Sequence, residues 1–259
     1  MNLSVVNQLI LYTLVFLAGF VDSIAGGGGL ISLPAYLFIG IPSHSALATN
    51  KLSSTIGTVF STLRYAKGKA IIYSVGIPSV IGSLIGSHIG ARLALVISDS
   101  VLKIILAIFI PIAAVFVFMT NPRNSRKDSN FAIKDEVSKR RVLFISGLIG
   151  LVIGAYDGFF GPGTGTFLII LYVSILSMNH VNASGTAKIV NLASNIGALL
   201  TFIAGGKVLY SIGLPAALFG IAGNWIGSGL ALKKGARVIK PVMLGVLALL
   251  FAKIVIDMF

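Results

Sequence analysis

Two glycine-rich interruptions constrain this chain more than any other feature. Gly26-Gly27-Gly28-Gly29 follows a long apolar run that ends at Asp22, and Gly161-Pro162-Gly163-Thr164-Gly165 follows another that ends at Asp157. Glycine is costly inside a helix and adopts positive φ freely, so four in a row end the helix before them. The apolar run after the first break, Leu30 to Ile41, is short and contains Pro34. As a helix it would cover roughly 18 Å, against a bilayer core of about 30 Å. Each break therefore predicts a stopped helix, an open backbone and a second, short helix.

The solvent around most of this chain is lipid. Of 259 residues, 56% are hydrophobic and only 10% charged, where a soluble domain carries about 25% charged residues. Apolar runs long enough to span recur along the whole length. The net charge of +13 would point to nucleic acid in a soluble protein. Here the basic residues gather in short loops, where they set topology instead, and no nucleic-acid partner is expected. Cysteine is absent, which excludes disulfides, thiol chemistry and cysteine-held metals. No metal site or cofactor is expected. The first 21 residues carry no charged side chain, so they read as a retained helix, not a signal peptide with a basic start.

In order, Asn7 to Ile24 is the first span and carries Asp22 near its end. Pro42-Ser43 begins a helix that runs to about Ala66, with Ser43 as its N-cap. Lys51, Thr55, Thr58 and Thr62 share one face of it by spacing, and lipid cannot satisfy such a stripe. Arg64, Lys67 and Lys69 mark a loop. Ile71 to Ile97 carries Gly82, Gly86 and Gly90, a spacing that lets another backbone approach. Val101 to Met119 is a fifth segment. Asn121 to Arg141 is polar and basic, and divides the chain near its middle.

The second half repeats the first. Gly19-Phe20-Val21-Asp22 matches Gly154-Ala155-Tyr156-Asp157, and Thr49-Asn50-Lys51 matches Thr186-Ala187-Lys188. Tyr73 to Pro78 matches Tyr210 to Pro215, and Gly86 and Gly90 match Gly223 and Gly227. From Lys51 onward the register holds without a gap, which chance does not reproduce. Basic residues at equivalent loops are biased oppositely: Arg64 to Lys69 is rich in them and Gly205 to Lys207 is poor, whereas Lys233, Lys234, Arg237 and Lys240 outweigh the loop after Arg92. The expected fold is an all-α integral membrane protein of two inverted-topology repeats. Each has about five helical segments, with broken or re-entrant helices after the glycines, giving about eight to ten transmembrane helices. The first repeat is 1–120, a cytoplasmic linker 121–141 and the second repeat 142–259. The expected location is the inner (plasma) membrane, multi-pass, with both termini outside.

Unpaired N–H groups at a helix N-terminus, aided by the helix dipole, attract anions. Two such ends from inverted repeats would converge on one small-anion site near midplane. Glycine turns could equally serve close packing alone. Lys51 and Lys188 lie deep in equivalent helices. They could draw the anion in, snorkel to the interface, or pair with Asp22 or Asp157. Asp22 and Asp157 could couple transport to protons, or cap the glycine turns beside them. Asn191, Ser194 and Asn195 lie near Lys188 on helical spacing and could line the same cavity or bond between helices. His44, His88, His180 and Trp225 read as packing or interface residues. The candidate substrate-binding set is Gly26, Gly27, Gly28, Gly29, Asn50, Lys51, Gly163, Thr164, Gly165, Lys188, Asn191 and Asn195, with Asp22 and Asp157 as candidate coupling groups.

Val21-Asp22-Ser23-Ile24-Ala25 with its glycines, Ala48-Thr49-Asn50-Lys51-Leu52, Tyr156-Asp157-Gly158-Phe159-Phe160-Gly161-Pro162, and Asn191 to Gly197 together resemble the TauE/SafE family, the sulfite exporter and toluene sulfonate uptake permease group. The resemblance covers nearly the whole chain. It implies secondary transport of sulfite, sulfonates or related small anions, inward or outward, without an ATPase subunit. A passive anion channel on the same scaffold is the main alternative. An intramembrane aspartyl enzyme is the other: Tyr156-Asp157 supplies half of such a protease signature, but the required Gly-x-Gly-Asp is missing. Expected partners are a small anion, the bilayer and protons as coupling ion, and a homo-oligomer is compatible with the chain.

Overall fold

The computed structural model describes residues 4–106, 108 and 136–234. Within them the chain forms helices α1 Val5–Ala25, α2 Gly29–Phe38, α3 Ser43–Lys67 and α4 Tyr73–Val96, then α5 Glu136–Phe159, α6 Thr164–Ser174, α7 His180–Ala204 and α8 Tyr210–Lys234. The order long, short, long, long occurs twice. Most of the expected fifth segment and of the central linker lies outside the described residues. Glu136 to Arg141, which charge alone assigned to that linker, are the first turns of α5. Charge marks where a chain meets water, and a helix can extend past that boundary.

Five of these helices are long and apolar enough to cross a bilayer: α1, α4, α7, α8 and α5 from Lys139 onward. α3 has 25 residues, about 37 Å by helix rise, but its polar stripe lowers its apolar character. Three of that stripe, Lys51, Thr58 and Thr62, are each at most 8% exposed, and Thr55 is half-buried. Large apolar side chains instead face outward, as Ile77, Ile81, Ile85, Ile89 and Leu93 do along α4. Polar inside and apolar outside is the arrangement lipid selects.

Glycines set how closely the outer helices pack. On α4, a Cβ at Gly82 would strike the backbone at Gly147 and Leu151, at Gly86 that of Leu151 and Ala155, and at Gly90 that of Ala155 and Phe159, all on α5. On α8, Gly223 meets the backbone of Phe16 and Phe20, and Gly227 meets Phe20 and Ser23, all on α1. So the fourth helix of each half packs on the first helix of the other. α3 and α7 lie inside: α3 packs on α8, α7 on α4, and the two on each other.

The hydrogen bonds recur in the same exchanged way. Leu209 N–H donates to Thr49 Oγ1 at 3.1 Å, and Ile72 N–H to Thr186 Oγ1 at 3.0 Å. Both are threonines at the start of an inner helix, each tying down the loop of the other half. The start of α3 differs from expectation. Ser43 is already helical and Pro42 holds the cap position without a side-chain bond. Asp99 serves instead, its Oδ1 accepting from His44 N–H at 3.1 Å and lying 2.9 Å from His44 Nδ1. His44 Nε2 lies 3.0 Å from Ala94 O.

Candidate functional site at the paired glycine breaks

α1 ends at Gly26, with φ +69°, whose N–H donates to Asp22 O at 2.9 Å. Gly27 follows at φ +106°. The chain turns there in a conformation that side chains resist, and α2 starts at Gly29. After α5 the equivalent turn uses Gly161 at φ +96° and Gly163 at φ +86°. The two turns touch. A Cβ on Gly165 would lie 2.7 Å from Gly26 Cα, and Thr166 Oγ1 is 3.0 Å from Ala25 O and 2.9 Å from Gly26 O. One hydroxyl from the second half thus closes the open backbone of the first.

The lysines pair across the halves. Lys51 Nζ donates to Asp157 Oδ2 at 2.6 Å and to Asn195 Oδ1 at 3.0 Å. Lys188 Nζ donates to Asp22 Oδ2 at 2.6 Å. The lysine side chains are 3% and 1% exposed, Asp157 3% and Asp22 17%. Each carboxylate also holds its own glycine turn. Asp22 Oδ1 accepts from Gly28 N–H at 3.3 Å, and Asp157 Oδ1 from Thr164 Oγ1 at 2.7 Å. Capping of the glycine turn and pairing with a lysine occur together at each aspartate.

A cavity of about 40 Å³ lies between the breaks. Of the sequence-named residues, Asp22, Gly27, Gly28, Gly29, Asn50, Lys51, Asp157, Thr164, Gly165, Asn191 and Asn195 line it. Gly26, Gly163 and Lys188 do not: the first two shape the turns, and Lys188 stands behind Asp22. The polar stripe is only partly in the site. Thr58 lines it, while Thr55 Oγ1 is spent on Lys51 O at 2.6 Å. Ser32, Ser53 and Asn224 line the cavity and were missed as site residues. Asn224 carried a signal: it is a polar amide one residue after Gly223 in an otherwise apolar span.

The remaining polar residues named from sequence stand apart. Ser194 Oγ donates to Asn191 O at 3.0 Å. His88 Nδ1 is 2.8 Å from Thr201 Oγ1. Arg64 lies over the Trp225 ring, 4.7 Å from its centroid, and donates to Trp225 O.

The lining is rich in donors. Lys51 brings an ammonium, and α2 and α6 present the polarised N–H groups of two helix starts. The carboxylates are engaged by the lysines and turns, so the fixed charges nearly cancel. What remains is a polar cavity, with its charges paired, at the starts of two short helices.

A family model described as "Sulfite exporter TauE/SafE" matches residues 11–254. The chain is 37% identical over 247 residues to "Probable membrane transporter protein ORF9" of Sinorhizobium sp., covering 95% of this chain and 92% of that one. It is 36% identical over 261 residues to "Probable membrane transporter protein YfcA" of Escherichia coli K12, covering 99% and 93%. A "Probable membrane transporter protein" of Haemophilus influenzae is 32% identical over 265 residues, covering 99% and 98%. No solved structure matches the chain.

Proposed function

Because the chain belongs to the sulfite exporter TauE/SafE family, we propose that it moves small sulfur-containing anions, such as sulfite or sulfonates, across the plasma membrane by alternating access. The observation that carries this reading is the meeting of two helix starts with Lys51, Asp157 and Asp22 at one cavity. A helix N-terminus carries about half a positive charge, and two of them face the same space. On the scale where a water needs about 10–15 Å³, the cavity of about 40 Å³ suits a small oxyanion better than a bulky one. Its bound oxygens would accept from Lys51, Asn50, Asn191 and the N–H groups of Gly27, Gly29 and Gly165.

The halves act as inverted repeats, 1–120 and 142–259, joined by a cytoplasmic linker, with both termini outside. The exchanged contacts support this: α4 on α5 and α8 on α1, Thr49 with Leu209 and Thr186 with Ile72. The short α2 and α6, about 15 Å each by rise, re-enter instead of crossing. Because both ion pairs join opposite halves, one rocking motion loosens both together. Asp22 and Asp157 are the groups that couple transport to protons, and freeing Lys51 from Asp157 would give its ammonium to the anion.

The test is counterflow of radiolabelled sulfite in proteoliposomes. Substrate loaded on one side should accelerate uptake from the other. Saturable uptake without counterflow would indicate a channel, and no uptake of any sulfur anion by folded protein would refute the reading.

A further inference from the structure

α3 and α8 end side by side. The Arg64 guanidinium lies over the Trp225 ring, in a notch that Gly229 leaves open, since a Cβ there would strike its nitrogens. One turn on, a Cβ at Gly68 would lie 3.0 Å from Leu232 Cδ2. Lys67 and Lys69 flank Gly68, and Lys233 and Lys234 follow Leu232. All four lysines are exposed, and Arg64 is half-buried. None of these basic groups pairs with a carboxylate among the described residues. A helix C-terminus carries about half a negative charge, so two of them offset roughly one positive charge. A strong positive excess is left at the edge of the bilayer.

Topology alone does not account for this patch. A basic loop sets orientation by its charge, wherever in the loop that charge lies. Lys69, however, holds φ +53°, a backbone region that costs energy for any residue with a side chain. In the repeat register it matches Gly206, which turns with φ +65°. The other half thus makes the same turn with glycine, and none of the other four basic positions has a charged counterpart there. Below the charges the surface is apolar: Leu63 is 52% exposed, Trp225 45% and Ile226 51%.

We propose that the joined ends of α3 and α8 bind an anionic phospholipid. Arg64 and the four lysines hold its phosphate headgroup, and its acyl chains lie along Leu63, Trp225 and Ile226. The lysine at the strained turn then adds charge where glycine would only have closed the loop. This site depends on the membrane setting and is independent of what the central cavity carries.

The full chain, purified in detergent, can be titrated with phosphatidylglycerol or phosphatidylcholine of identical acyl chains, and binding read as thermal stabilisation. Phosphatidylglycerol should act at about tenfold lower concentration, and added salt should shrink the difference. Lys67→Gln, Lys233→Gln and Lys234→Gln combined should erase the preference. Lys69→Gly should weaken it while leaving the lipid-free protein about as heat-stable, because glycine suits that turn. Lys207→Gln, at the opposite end, should leave the preference intact. Equal responses to the two lipids, or a preference that survives the triple variant or is untouched in Lys69→Gly, would overturn the proposal. Equal stabilisation by inorganic phosphate at the same concentration would also overturn it, and would assign the patch to a soluble anion.

Discussion

Lys51 and Asp157 are separated by 106 positions in sequence and meet at 2.6 Å with almost no solvent around them. A buried pair contributes little net stability, but removing one partner leaves an uncompensated charge, at a cost of about 3–5 kcal/mol. Lys51→Met or Asp157→Leu alone should therefore lower stability by about that much, read by denaturant unfolding in detergent. The double variant should recover most of the loss while transport stays abolished. A double variant as unstable as either single one would refute the pairing. From sequence, Lys51, Lys188, Asp22 and Asp157 stood out because ionisable groups are expensive in lipid. Which lysine takes which aspartate was not legible, since the partner lies in the other half and a linear pattern holds no distance between helices.

At the scale of elements, α3 begins without a cap of its own and borrows Asp99 from the chain beyond α4. Burial raises the Asp99 pKa, but the N–H groups of His44 and Ser43 and the His44 ring together outweigh it and hold the carboxyl below its usual value of 3.8. Asp99→Ala should cost about 1 kcal/mol at neutral pH, limited by solvent screening of a side chain that is half exposed. A group with a lowered folded pKa stabilises in full above its unfolded value, about 3.9. The difference between the two proteins should hold down to that pH and fade as pH drops through the lower, folded value. Titrating the unfolding midpoints of both checks this. The glycine faces give a second expectation. Gly86→Ala and Gly223→Ala, at equivalent positions facing α5 and α1, should each destabilise by about 1–3 kcal/mol through overpacking. Thermal unfolding of the two variants should shift in parallel. A variant with no shift would mean that its helix pair is not held at this distance. Glycine spacing made the close approach legible in α4. Its partner, α5, was not, because the spacing says that a backbone comes near and not whose.

Across the whole molecule, opposite orientation of the halves can be tested with the chain as it stands, because it contains no cysteine. Lys69→Cys and Lys207→Cys lie in equivalent loops, after α3 and after α7. In right-side-out vesicles a membrane-impermeant maleimide should label one of them and spare the other until the membrane is permeabilised. Labelling of both from the same side would contradict the inversion. The sequence alone determined the membrane setting, the repeated long–short–long–long order, the breaks at Gly26 and Gly161, and most of the cavity lining. Each is a local consequence of composition, glycine conformational freedom or helical period. Only the tertiary structure decided that Thr166 seals the break at Gly26, that the lysines cross between halves, that Lys188 stands behind the cavity instead of in it, and that Asn224 lines it. Those facts depend on which helix faces lie against each other, and that is fixed by packing among residues more than a hundred positions apart.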